Sequence, residues 1–203
     1  MQRILEEELD KVAEDILNKV VQRIEDHIER VQYFYKLMVD NGIIPKKYIR
    51  QREIDRHDED KLYPKNLERQ SLRYAIPQNE MTPEDIEAID DVITEHVKSN
   101  PHHCEYWGSG DHHTLNMDCT AMPLEEVYQM IADWTSTAEE KSGNNAWKWY
   151  YDSVVNVGGK RWIFSDEQIE VIEKCLEFLE DKTDHSLKRN YGLHSFDPAV
   201  LNN

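Results

Sequence analysis

"ILEEELDKVAEDILNKVVQRIEDHIERV" (residues 4–31) sets Leu5, Leu9, Val12, Ile16, Val20, Ile24 and Val31 at intervals of three, four or their sum. That period follows the 3.6-residue turn of an α-helix and leaves the charged residues on the other side. It predicts one long amphipathic helix over residues 3–38. His27 falls on the apolar stripe. A histidine turned toward a core must find partners for its ring nitrogens, because an unmet polar atom is costly there.

The same helical period recurs farther along the chain. "DNGIIP" (40–45) ends the first helix, and Pro45 opens a segment read as helical over roughly 45–58, which brings "HDEDK" (57–61) to its end. Pro64 and "AIPQNEMTPED" (75–85) break the chain again. Thr82 is an N-cap with Pro83 at the first helical position, and the helix it starts runs to about Ser99 with Ile86, Ile89, Val92, Ile93 and His96 on one side. The connection "SNPHHCEYWGSGDHHTLNMDCTAMP" (99–123) is long and aromatic, which marks an ordered, functional loop. A further helix covers 123–141 with Val127, Met130, Ile131 and Trp134 inward and Asp133 beside them. "NNAWKWYYDSVV" (144–155) reads as a short aromatic helix, and "SDEQIEVIEKCLEFLE" (165–180) as a last one capped by Ser165 or Asp166. Strand signals are weak, so the fold class is all-α. Residues 1–183 read as one domain, with 1–24 as an amphipathic N-terminal extension and 184–203 as a loosely structured tail.

With 203 residues and 39% hydrophobic content, the chain has enough apolar material for one ordinary core. Its net charge of -17 would repel a phosphate backbone over most of the surface, which excludes a broad nucleic-acid footprint. Cys104, Cys119 and Cys175 show no paired spacing, and a reducing compartment fits them. No stretch approaches the roughly 18 apolar residues of a membrane span. These features lead to the expectation of a soluble cytoplasmic protein.

Several polar residues sit on inward faces or beside them. They come from separate segments: His27 from the first helix, His57 and Asp58 from the second, His96 from the helix after Thr82, His102 and His103 from the loop, and Asp133 from the following helix. A lone core histidine is ordinarily satisfied by a hydrogen bond. Together, neutral imidazoles and carboxylates are the donors that suit Zn, Mn, Fe or Co, and one ion or two between helices would account for their inward placement.

In this order, His27, then His57 with Asp58, then Asp133, the chain resembles the HD-domain superfamily of metal-dependent phosphohydrolases. "HDEDKLYPKNLERQSLRYAIP", "EHVKSNPHHCEYW" and "MPLEEVYQMIADW" are similar to a small branch of it found in bacteria and phages, over roughly residues 25–180. The resemblance implies an HD-domain-like helical bundle with a metal site between helices, His27, His57, Asp58 and Asp133 being the primary ligands. It adds His96 and one or both of His102 and His103 as ligands of a second ion, with Asp58 bridging. The cofactor implied is a divalent transition metal, Mn, Fe, Co, Zn or Ni, with Mg as an alternative.

The activity that the resemblance implies is hydrolysis of a small phosphate ester, a nucleotide or similar molecule, by metal-activated water. Lys61 matches a lysine that holds a substrate phosphate oxygen, so Asp58, Lys61 and Glu105 are the catalytic candidates. Glu105 or Asp60 would move the proton, and Glu105 could equally orient His102 or His103. Lys61, Asn100 and Trp107 are the candidate substrate contacts, with loop ordering as the alternative for Asn100 and Trp107. The chain lacks the glutamate that single-metal nucleotidase members carry after the HD pair. Two other readings stay open: a di-iron oxygenase on the same scaffold, and a non-catalytic binding protein with a structural metal. The first helix also offers a surface for a homodimer.

Overall fold

The computed structural model describes residues 2–140, 145–156, 161–184 and 191–194, with side chains from residue 13 onward. Helix supplies nearly all the regular structure among them, so the chain is all-α, as the periodicity predicts. Helix α1 runs Gln2–Asp40. Val20, Ile24 and Val31 of its stripe are almost wholly buried, at a gain of about 2 kcal/mol each. Helix-propensity differences of a few tenths cannot compete with that, so burial decides which way α1 faces. The side chains of Leu5, Leu9 and Val12 lie outside the described residues. Gly42, at φ +69°, ends the helix, and the Asn41 side chain donates to the Leu37 carbonyl.

The helix expected over 45–58 is broken instead. A 3-10 turn at Lys46–Tyr48 leads to α2, Gln51–Ile54, and only Ile54 of α2 is buried. The run "IRQREIDRHDEDK" has no continuous apolar stripe to hold a longer helix against a core. Asp58 then takes a left-handed conformation, φ +56°, which turns the chain before a 3-10 turn at Glu59–Leu62. Pro64, read from the sequence as a break, begins α3, Pro64–Ala75, at the first helical position, where its missing N–H costs nothing. Helix α4, Pro83–Ser99, is capped as expected: Thr82 Oγ1 accepts from the Asp85 N–H, and the Asp85 carboxylate accepts from the Thr82 N–H.

The long connection contains α5, Cys104–Trp107, and β1, Met117–Asp118. Helix α6 is Leu124–Glu140, and α7, Ala146–Trp149, is capped by Asn145 and runs on into a π-helical turn at Tyr150–Val155. Strand β2, Trp162–Ile163, pairs in parallel with β1, a two-residue ladder too short to leave a sequence signal. Helix α8, Asp166–Glu180, starts on a capping box between Ser165 and Gln168. Most of the tail read over 184–203 lies outside the described residues.

The chain divides into two compact units. The first comprises Met1–Asp26, Asp58–His96 and Asn190–Asn203. Among the described residues, Val20, Ile24, Tyr74, Ile89 and Val92 are its buried apolar side chains, and the Arg23 guanidinium lies 4.9 Å from the Tyr74 ring. Apolar side chains including Ile16, Leu17, Leu62, Leu67 and Leu72 line a hollow of about 660 Å³ there. The second unit comprises His27–His57 and Val97–Arg189. Its core joins Phe34, Tyr35 and Met38 of α1 to Met130, Ile131 and Trp134 of α6 and Ile172, Leu176 and Leu179 of α8. Trp134 and Trp162 stack with centroids 5.6 Å apart, and Gln168 donates to the Cys119 and Met122 carbonyls, pinning the loop before α6 to α8.

Candidate metal centre

In the second unit, His27, His57 and Asp133 each offer a donor atom within 4.8 Å of the other two. Helix α1 carries His27 on its buried stripe, three residues after Ile24 and four before Val31. His57 closes the turn after α2, its N–H donating to the Ile54 carbonyl, and its side chain is buried. Asp133 lies on α6 between the buried Ala132 and Trp134, at the edge of the packed face. His27 Nε2 stands 3.1 Å from Asp133 Oδ1, with the two side chains only 9% and 14% exposed. Thr137, one turn on, donates to Asp133 Oδ1 at 3.4 Å.

More imidazole stands alongside. The His57 ring is 5.8 Å from that of His27 and 4.2 Å from that of His102, which in turn is 4.3 Å from His103. The loop after α4 therefore delivers His102 and His103 to this group. Two imidazoles and a carboxylate within reach of a shared point, with two further imidazoles beside them, fit a divalent transition metal better than Mg, which prefers an all-oxygen shell.

The first unit holds a second polar cluster. His96 Nε2 is 3.3 Å from Asp58 Oδ1, and His96 Nδ1 is 2.8 Å from Asp60 Oδ2. The Lys61 ammonium pairs with Asp58 Oδ2, and the Asp58 carboxylate is almost fully buried. Burial and the Lys61 charge disfavour a protonated His96, and Asp58 and Asp60 outweigh them, holding its pKa above the ordinary value. Burial raises the Asp60 carboxyl, but its hydrogen bond and charge pairing with His96 prevail and hold it below the ordinary value. Asp60, a sequence candidate for proton transfer, is the hydrogen-bond partner of His96 Nδ1.

The remaining candidates are placed individually. Glu105 is buried on α5, at 4% exposure. The Asn100 carbonyl accepts from the His103 N–H at 3.0 Å, so its backbone shapes the loop. The Trp107 indole N–H donates to the Pro101 carbonyl at 2.7 Å, which ties the same loop down. Residues that the sequence reading passed over are Ser136, whose Oγ lies 3.2 Å from His27 Nδ1, and the ion pair of half-buried Arg30 with buried Glu139. Ser136 follows Asp133 by three positions and so shares its helix face, a signal present in the "DWTS" string.

Residues 17–178 match DUF5662, a family of unknown function, over most of the chain. The chain belongs to this family. The matched span takes in all of His27, His57, Asp58, His96, His102, His103 and Asp133 of this DUF5662 protein. No curated protein and no solved structure matches it.

Proposed function

We propose that this DUF5662 protein is a metal-dependent phosphohydrolase acting on a nucleotide or a similar small phosphate ester. The observation that carries the proposal is the meeting of His27, His57 and Asp133, drawn from three distant segments, with donor atoms within 4.8 Å. A divalent cation there would acidify a water molecule and neutralise phosphoryl oxygens. His27, His57 and Asp133 would hold it, with His102 and His103 as the adjoining donors.

The resemblance also assigns Asp58 to the metal and Lys61 to the phosphate. In their own unit these two side chains are paired with each other. Glu105, buried beside the loop histidines in sequence, is the residue to carry the proton or to orient His102 or His103. A chain of net charge -17 would meet an anionic substrate at a cation-bearing site rather than over its general surface.

The test is metal analysis of the purified protein, followed by phosphate release from nucleoside mono-, di- and triphosphates and cyclic dinucleotides. The expected result is hydrolysis that stops with chelator, returns with Mn or Co, and is lost in Asp133→Ala. Bound iron with oxygen uptake and no phosphate release would replace the reading with an oxygenase. A protein that binds no ion would overturn it altogether.

A further inference from the structure

Resting on the metal reading above, we infer that Ser136 is a positioning residue that lets His27 change tautomer when a cation binds. Its hydroxyl oxygen is 3.2 Å from His27 Nδ1 and 3.3 Å from the His27 backbone carbonyl. One hydroxyl proton serves only one of these acceptors at a time. When Ser136 donates to Nδ1, the imidazole proton is on Nε2, and Asp133 Oδ1 is the carboxylate oxygen beside it, 3.1 Å away.

A cation taking Nε2 needs the lone pair on that nitrogen, which moves the proton to Nδ1. Ser136 accommodates the change by rotation: it turns its own proton to the His27 carbonyl and accepts from Nδ1–H. The side chain is buried and fixed on α6 three residues after Asp133, so the same helix supplies the ligand oxygen and the switchable partner. Alanine here leaves Nδ1–H facing a gap and ties the proton to the Nε2 side, where it competes with the ion. Outer partners of ligating histidines typically alter metal affinity by about 10–100-fold.

Two measurements test this, using Zn and Co as the probes. In histidine-¹⁵N-labelled wild type, NMR should show His27 with its proton on Nε2 before Zn is added and on Nδ1 afterwards; an unchanged tautomer overturns the inference. In Ser136→Ala, Zn affinity should fall about tenfold or more, with a shifted Co absorption spectrum, while Ser136→Thr, which keeps the hydroxyl, should bind as wild type does. Equal Zn affinity and an identical Co spectrum in wild type and Ser136→Ala sink this inference alone. Failure of the wild type to bind either ion sinks the metal reading with it.

Discussion

Arg30 and Glu139 form a two-pronged ion pair: Nε and Nη2 of the arginine each lie 2.6 Å from a carboxylate oxygen that is almost completely buried. Glu139 also accepts from the Asp184 N–H at 3.1 Å. The pair joins α1 to α6 one turn beyond His27 and two turns beyond Asp133, so it fixes the register in which those two side chains meet. Removing one partner strands a buried charge. Arg30→Met should therefore lower stability by about 3 kcal/mol in urea unfolding. A loss below about 1 kcal/mol would mean that the carboxylate finds water instead.

Zinc should stabilise the protein by linkage, because ligands gathered by the fold are dispersed in the unfolded chain. At a thousandfold excess over its dissociation constant, the gain is about 4 kcal/mol. In Asp133→Asn the rise in melting temperature on adding zinc should shrink or vanish, and chelator should leave that variant unaffected. An undiminished shift would place the ion elsewhere.

Asp58 holds φ +56°, a region where Asp and Asn are tolerated and β-branched residues are not. Asp58→Asn keeps the backbone preference while removing the charge that Lys61 and His96 face. Asp58→Val loses both, and should be about 1–2 kcal/mol less stable than Asp58→Asn. Equal stability of the two variants would show that the turn places no demand on this residue.

Burial raises Glu126 from the usual 4.5 to about 7, helped by Glu125 and Glu53 and opposed by Arg50. The folded protein therefore keeps this proton to higher pH than the unfolded chain does. With fewer protons on the unfolded state in that window, stability falls as pH rises from about 4.5 to about 7. Glu126→Gln should be more stable than wild type at pH 8, with the difference closing at pH 4. A pH-independent difference in denaturant midpoints would rule out this carboxyl as its source.

Much of the helical layout can be read from local chemistry. The α1 stripe from Val20 to Val31, the Thr82 cap and the Gly42 stop each depend on neighbours a few residues away and stand where the sequence places them, and of the two caps it offers for the last helix the structure takes Ser165. The second and third helices are less legible. The segment around α2 is too polar for its period to show, and Pro64 marks equally a break and a first helical position. Only the packed chain chooses between them.

The candidate site divides in the same way. His27 and Asp133 are recognisable as polar residues on or beside inward faces, because helical phase alone puts them there. Phase names a face and not the residue across from it. That Ser136 reaches His27 from 109 positions away, that Glu139 clamps Arg30 over the same span, and that His102 lies against His57 were decided by how α1, α6 and the loop after α4 pack. Close packing of large buried side chains such as Phe34, Met130 and Ile131 sets those distances, and no local pattern in the chain encodes them.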